Sequence, residues 1–387
     1  MKHIVIAGGG IMGSCIAYHL ALAGAASAVT VLEPDPTYEF AATPRAVGAI
    51  RLQHALRENV EMSLYGDEVY SAFAEHVRGG EVEFDPQFRR RGYLYQVRGA
   101  AGIAALEANV RMQQEAGVEV QILSTGELRQ RYPSFRFIDV DCAALSPADG
   151  QIDPYSALMG FCKAAEGLGI TYVQDRLVGL ELAGTLVSEA RLASGRSLFV
   201  DTLVNAANCW APEVCAMVGM SVPIEPMRRQ QFYFLAQQRI EPIPAMRHMD
   251  GLAVRIHQDG YLSGFTNFQQ PGGFNWEMEH EMFESVLWPR LAEQCGAFEA
   301  IKPKGGWVGH YDMNRLDGNP IIDRFDKVPN FILAAGFSGH GLMHAPAVGR
   351  AVKELILDGG FRSIDLSRLS WRRVVEDQAL ADDGPKA

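Results

Sequence analysis

The chain has 387 residues, 48% of them hydrophobic, with 35 lysines and arginines against 46 aspartates and glutamates and a net charge of −11. That length predicts more than one domain and enough apolar side chain for a sizeable core. The acidic balance excludes a basic face for nucleic acid, and no run reaches the roughly 20 apolar residues that span a bilayer.

In chain order, residues 3–7 read as a fully buried strand rather than a secretory leader. Gly8-Gly9-Gly10-Ile11-Met12-Gly13 follows, then a small-residue helix from Ser14 to about Ala23, stopped by Gly24. A second strand at 29–32 ends at Glu33. This is a βαβ opening, which builds a parallel sheet. Residues 44–54 read as a loop carrying Arg45 and Arg51, 58–75 as helix, 90–97 as strand and 100–116 as helix. Asp149-Gly150 marks a turn, and Asp153 caps a helix that has Pro154 in its first position. Strands and turns fill 170–200, and 203–207 is another buried strand leading to a helix near Trp210.

From 228 to 310 the pattern changes. Residues 231–235 and 260–265 read as antiparallel strands and 277–295 as a helix. Buried-strand character returns at 331–335. It leads through Gly336-Phe337-Ser338-Gly339-His340-Gly341 into a helix ending near Leu357, and 376–387 reads as a frayed tail. Cys15, Cys142, Cys162, Cys209, Cys215 and Cys295 are scattered with no CxxC pair, so no metal site and no redox dithiol is expected. They read as reduced thiols of a cytoplasmic protein.

Gly8, Gly10 and Gly13 fit G-x-G-x-x-G between a strand and a helix. The first allows the tight turn, the second lets backbone approach a pyrophosphate, and the third lets helix and strand pack closely. Glu33 lies where a carboxylate accepts hydrogen bonds from a ribose, which disfavours a 2′-phosphate. NAD and FAD share this motif. The second glycine-rich strand-to-helix turn at 336–341 favours FAD, because it offers backbone N–H groups to a distant part of a long cofactor.

The chain resembles the D-amino-acid oxidase and sarcosine oxidase superfamily of flavoproteins, especially its bacterial glycine/sarcosine-type members. Five segments carry the resemblance in order. They are the glycine motif with Glu33, Val47-Gly48-Ala49-Ile50-Arg51, Asp149-Gly150 with Asp153-Pro154-Tyr155, Val204-Asn205-Ala206-Ala207-Asn208-Cys209-Trp210, and Gly318-Asn319-Pro320-Ile321-Ile322 with the turn at 336–341. The resemblance implies an α/β, mixed α+β fold. A Rossmann-like FAD-binding domain (1–84, 146–219 and 319–380), with a parallel central sheet, is interleaved with a substrate-binding domain on a large antiparallel sheet (85–145 and 220–318), and 381–387 is tail.

It implies FAD held by Gly8, Gly10, Ile11, Met12, Gly13, Glu33, Pro44, Arg45, Val47, Gly48, Ala206, Ala207, Trp210, Gly336, Ser338, Gly339, His340, Gly341, Leu342 and Met343. It also implies hydride transfer to flavin N5 from the carbon beside an amine nitrogen. Trp307-Val308-Gly309-His310-Tyr311 holds no cysteine where some members tether the cofactor, so non-covalent FAD is expected. Leu262 or Ser263 falls where some sarcosine oxidases have an oxygen-activating lysine, and Met343 where a second lysine binds the carboxylate. Oxidase and dehydrogenase, with O2 or another acceptor, therefore both stay open.

Arg51 is read as a carboxylate clamp or a flavin-loop ion pair, and His340 as a cofactor contact. His310 and Tyr311 lie on the substrate side, while Tyr261, Thr266 and Trp307 are pocket walls. His344 is a pocket or core histidine, and Arg228 and Arg229 are read as solvated. The reading is an oxidoreductase acting on the C–N bond of an amino acid or secondary amine, as homo-oligomer or in a heteromeric complex. The alternatives are a 2-hydroxy-acid or polyol-phosphate dehydrogenase, which needs a base such as His310 or His344, and the FAD subunit of a larger amine dehydrogenase.

Overall fold

The structure, a computed structural model, describes residues 2–80 and 84–380. Its first sheet has six strands in the order Ile321–Phe325, Val328–Ala335, Thr202–Asn205, Ile4–Ala7, Val29–Leu32 and Thr171–Val173. All neighbours run parallel except the pair formed by Ile321–Phe325 and Val328–Ala335. Ile4–Ala7, Thr202–Asn205 and Val328–Ala335 are buried along nearly their whole length, as expected of strands covered on both faces. Because these three are parallel neighbours, the chain leaves all of them at one edge. Gly8, Ala206 and Gly336 therefore meet there, although they are far apart in sequence.

The helix after the first strand spans Ile11–Leu22 and begins earlier than Ser14, because Gly10 takes the N-cap position. It is apolar on nearly every side and buried, as a helix wedged between sheet and neighbours must be. Gly341–Leu357 packs directly on it, and a Cβ at Gly349 would lie 2.6 Å from the Cys15 carbonyl oxygen.

The second sheet has eight strands in the order Ile301–Asn314, Ile224–Ala236, Gly260–Phe265, Leu252–His257, Ala245–His248, Tyr93–Val97, Cys142–Ser146 and Gln121–Ser124. It is antiparallel except where Ala245–His248 runs beside Tyr93–Val97. Period-two alternation divides its faces. Phe232 and Phe234 pack with Phe283, Leu287 and Phe298 under the helical stretch His280–Gln294, which contains a π turn at Phe283–Leu287. The opposite face, carrying Arg229, Gln231 and Tyr311, looks into the cleft between the sheets. A small ladder of Ala49–Ile50, Gly150–Gln151 and Arg89–Arg90 joins the chain segments beside that cleft.

Several local expectations shift. Tyr93–Val97 starts only after Arg91-Gly92, where Gly92 has φ +77. The helix expected over 58–75 breaks at Ala72 into Arg57–Ser71 and Phe73–His76. Gln121–Ser124 and the helix Thr125–Arg131 were unforeseen, although Ser124 and Glu127 form a capping box there. Residues 376–380 are not frayed: the Gln378 N–H donates to the Arg373 carbonyl and the Leu380 N–H to Asp317. The remaining tail, 381–387, lies outside the described residues. Among the described residues no helix is long and apolar enough to cross a membrane.

Candidate active site

The glycine motif is held by sterics that only glycine satisfies. At Gly13 a Cβ would sit 1.9 Å from the Gly8 carbonyl oxygen, and at Gly8, with φ +101, it would meet the Ala206 carbonyl at 2.6 Å. A Cβ at Gly10 would meet nothing closer than Thr43 Oγ1 at 3.8 Å, so this glycine leaves backbone open toward the cleft. Gly10 has no side chain to cap the helix at Ile11–Leu22, the Ile11 N–H reaches Thr43 Oγ1 at 3.4 Å, and the first-turn N–H groups carry the helix's positive end to the same place. Glu33 accepts from the N–H groups of Gly9 at 2.9 Å and Asp35 at 3.0 Å. Burial pushes its carboxyl above the usual range.

One cavity of about 460 Å³ collects these features, a volume typical of ligand sites. Gly8, Gly10, Ile11, Met12, Glu33, Arg45, Val47, Ala206, Ala207, Trp210, Gly339, Gly341 and Leu342 line it, and so do His310 and Tyr311. Gly13, Pro44, Gly48, Gly336, Ser338, His340 and Met343 do not line it. Gly48, with φ +76, is pressed within 2.1 Å of the Ile152 oxygen for any Cβ. Met343 is buried, with its carbonyl against Gly66. Arg45 lines the cavity but is tied to protein: Nη1 donates to the Val308 carbonyl at 2.8 Å, and its guanidinium lies 5.0 Å from the Trp276 ring centre.

The second glycine turn is organised by a residue that sequence reasoning missed. Asp312 is buried at the end of the long strand Ile301–Asn314. Its Oδ2 accepts from the N–H groups of Gly336 at 2.7 Å and Phe337 at 3.1 Å. Burial raises its carboxyl to about 6 against these hydrogen bonds. Ser338 Oγ in turn accepts from the Asn314 N–H at 3.0 Å. No signal short of the fold ties residue 312 to residue 336.

Beneath this turn lie three histidines. His340 Nε2 is 2.8 Å from Arg51 Nη2, and Arg51 Nη1 donates to the Gln53 carbonyl at 2.5 Å. The rings of His54 and His344 pack 5.1 and 5.7 Å from that of His340. Burial, helped by the Arg51 charge, pulls His344 down to about 3 and holds His54 and His340 well below the usual histidine range. All three are neutral at pH 7. Arg51, 2% exposed, stands behind the cavity wall rather than in it. Nearby, the buried carboxyl of Asp149 is pushed up to about 7 by desolvation, despite accepting from Ser146 Oγ and the Leu52 N–H.

Strand alternation separates the remaining candidates. Tyr311 shares the cleft face with Arg229, whose guanidinium carbon lies 5.1 Å from the Tyr311 ring centre. Burial pushes the Tyr311 phenol up, but the charges of Arg229, Arg247 and Arg51 outweigh it and hold the group below its usual range. His310, one residue earlier, projects from the opposite face of the strand and still borders the cavity. It packs 4.3 Å from Trp276, its Nε2 accepts from the Asn275 N–H at 3.1 Å, and burial pulls it down to about 4.

Tyr261 is not a pocket wall: it stacks on Phe234 and meets Phe298 edge-to-face on the helix-covered face. By the same alternation Leu262, opposite Tyr233, faces the cleft and Ser263 does not. Trp307 Nε1 is bound to the Arg45 carbonyl at 2.8 Å. Thr266 is buried on the cleft side, where its hydroxyl accepts from both Arg229 and Arg247. Arg229 is therefore not solvated, being 6% exposed, whereas Arg228 points outward to Glu279.

Two glycine turns at one edge of a parallel sheet, facing a second sheet across a lined cleft, define a dinucleotide-dependent oxidoreductase. The profile of the family described as FAD dependent oxidoreductase (DAO) matches residues 3–355. The chain belongs to this family, and its cofactor is FAD. The open backbone at Gly10, the two helix N-termini and the Glu33 carboxylate fit such a molecule.

FAD-dependent oxidoreductase domain-containing protein 1 of Xenopus laevis is 31% identical over 422 residues, covering 98% of this chain and 84% of that protein. Human mitochondrial dimethylglycine dehydrogenase is 24% identical, covering 92% of this chain but 42% of its own length. Among solved structures, L-proline dehydrogenase from P. horikoshii superposes with a TM-score of 0.87 and 26% identity, covering 98% of this chain and 99% of that one.

Proposed function

We propose that this protein oxidises the C–N bond of an amino acid or secondary amine that carries a carboxylate. Bound FAD supplies the hydride acceptor. The observation that carries the reading is Tyr311 with Arg229 in the same cavity as both glycine turns. A phenol backed by a buried guanidinium is an anion clamp, and it would fix the substrate carboxylate so that the neighbouring carbon meets the flavin. Arg51 would act as a positioning residue, holding His340 beneath the glycine turn. The names of the relatives agree, since dimethylglycine and proline are both amines bearing a carboxylate.

The proton inventory favours an amine over an alcohol. An alcohol must lose its proton to a base as the hydride leaves, whereas an amine entering neutral needs none. Around the cavity the three buried histidines lie behind the wall, Asp312 is engaged by backbone N–H groups, His310 Nε2 already accepts from Asn275, and Tyr311 is taken up by Arg229 and the carboxylate.

Anaerobic bleaching of the flavin by a panel of amino acids, N-methyl amino acids and 2-hydroxy acids tests the proposal. Bleaching by amines is expected; bleaching by hydroxy acids alone would overturn it. Tyr311→Phe should raise KM about tenfold or more, the worth of one hydrogen bond to a charged group, with a smaller effect on kcat.

A further inference from the structure

The cleft face of the eight-stranded sheet carries three arginines. Arg229, Arg247 and Arg255 come from three different strands, Ile224–Ala236, Ala245–His248 and Leu252–His257. Register places all three on one face: Arg247 is opposite Ala253, two residues from Arg255, and Arg255 is opposite Leu262, itself opposite Tyr233.

Arg229 and Arg247 both donate to the single hydroxyl of Thr266, a neutral acceptor between two cations. Arg229 also donates to the Phe265 carbonyl and is hydrogen-bonded to the Tyr311 phenol. The Nε atoms of Arg229 and Arg255 are buried with no hydrogen-bond partner among the described residues. The charged or ionisable groups that act most strongly on Arg229 are Tyr311, Arg247 and Tyr93. Those acting on Arg255 are Tyr93, Arg91 and Tyr311, and none in either set is a carboxylate. Arg255 is half-buried, and desolvation with the like charge of Arg91 depresses it to about 10.

Leaving the buried Nε atoms of Arg229 and Arg255 without an acceptor costs stability unless an anion completes them. A second carboxylate would do so. We propose that the pocket has a second anion subsite at Arg255, reached along the cleft from the Tyr311–Arg229 clamp, and that the substrate is an amine bearing two carboxylates. The proposal rests on the amine reading above and narrows it. The first carboxylate lies beside the reacting carbon at Tyr311 and Arg229. The second, at the far end of the side chain or of the nitrogen substituent, pairs with Arg255. The chemistry selected is that of acidic N-alkyl amino acids over their neutral counterparts.

The test uses the FAD-loaded full chain. Racemic N-methylglutamate and N-methylaspartate are each compared with their side-chain amides, N-methylglutamine and N-methylasparagine, which match them in shape but lack the second charge. Flavin reduction should show kcat/KM higher for the acids by about 10–100-fold, the worth of a charge-assisted hydrogen bond to a buried group. In Arg255→Gln that preference should fall to within about threefold, a residue of shape alone.

A second readout needs no turnover. Glutarate should perturb the oxidised flavin spectrum at concentrations at least about tenfold lower than glutaramate, and R255Q should equalise them. Amides reduced as efficiently as acids, together with equal glutarate and glutaramate binding, would overturn the second subsite while leaving amine oxidation standing. Reduction by hydroxy acids and by no amine would instead overturn the parent reading, and the glutarate comparison would still judge the subsite.

Discussion

Asp312 shows how a single side chain can set a cofactor turn. Its carboxylate satisfies two buried N–H groups of the 336–341 segment, and a buried donor left unpaired costs about 1–3 kcal/mol. Asp312→Ala should therefore lower unfolding stability by roughly 2–4 kcal/mol, with weaker FAD retention, both measured by urea titration and by flavin absorbance after gel filtration. Asp312→Asn keeps one acceptor oxygen and should recover part of the loss. Unchanged stability in the alanine variant would show that the turn holds itself. At Gly13 the constraint is steric, with 1.9 Å between a new Cβ and the Gly8 oxygen. Gly13→Ala should yield colourless protein that does not recover its spectrum with added FAD.

Arg228 and Arg229 are adjacent, yet one reaches Glu279 at the surface and the other lies buried against Tyr311. Period two guarantees that they diverge. Only the neighbouring strands decide which of them faces the cleft.

At the scale of elements, the helices Ile11–Leu22 and Gly341–Leu357 carry the two glycine turns and pack on each other through Gly349. Gly349→Val would force them apart at the Cys15 carbonyl, at an overpacking cost of about 1–3 kcal/mol. It should loosen FAD and lower the melting temperature together; a fall in melting temperature with unchanged FAD affinity would separate the two effects. The pairing of these helices follows from their strands being near neighbours in one sheet, a long-range arrangement that neither helix announces alone. The unforeseen strand Gln121–Ser124 illustrates the reverse case: only four residues long and mostly exposed, it is a strand because Cys142–Ser146 offers it an edge.

Across the whole molecule, buried titratable groups make stability depend on pH. His344 stays neutral in the fold down to about 3, and His19 and His310 down to about 4, each mainly through burial. An unfolded histidine protonates near 6.5, so below that pH the unfolded chain binds the extra proton and the stability present above it is lost as pH falls. Asp149 and Asp312, raised to about 7 and about 6, act in the opposite direction: folding takes up their protons on acidification and gains stability. His344→Gln removes one histidine from this balance. Its unfolding free energy should fall less steeply than that of the parent between about pH 6 and 4, by about 1.4 kcal/mol per pH unit, read from urea melts at each pH. Parallel slopes would mean that His344 protonates within the fold.

No cysteine lines the cavity. Acid precipitation should accordingly release the yellow colour to the supernatant, and a coloured pellet would reveal a covalent link.

The sequence by itself determined the glycine motif, the second glycine turn, Glu33 and the family likeness, because each is a contiguous run whose sterics are local: Gly8, Gly10 and Gly13 need only their own turn to be read. Tertiary structure alone decided which strand side chains meet around the cleft. Asp312, Thr266, Arg229, Arg247 and Arg255 come from different strands or their ends, and alternation gives each a partner face without saying which face is the cleft. Tyr261 and Tyr311, both aromatic residues in strands, end on opposite sides of one sheet for that reason. A strand's register is set by its hydrogen-bonded neighbours, and those neighbours are chosen by the closure of the whole chain.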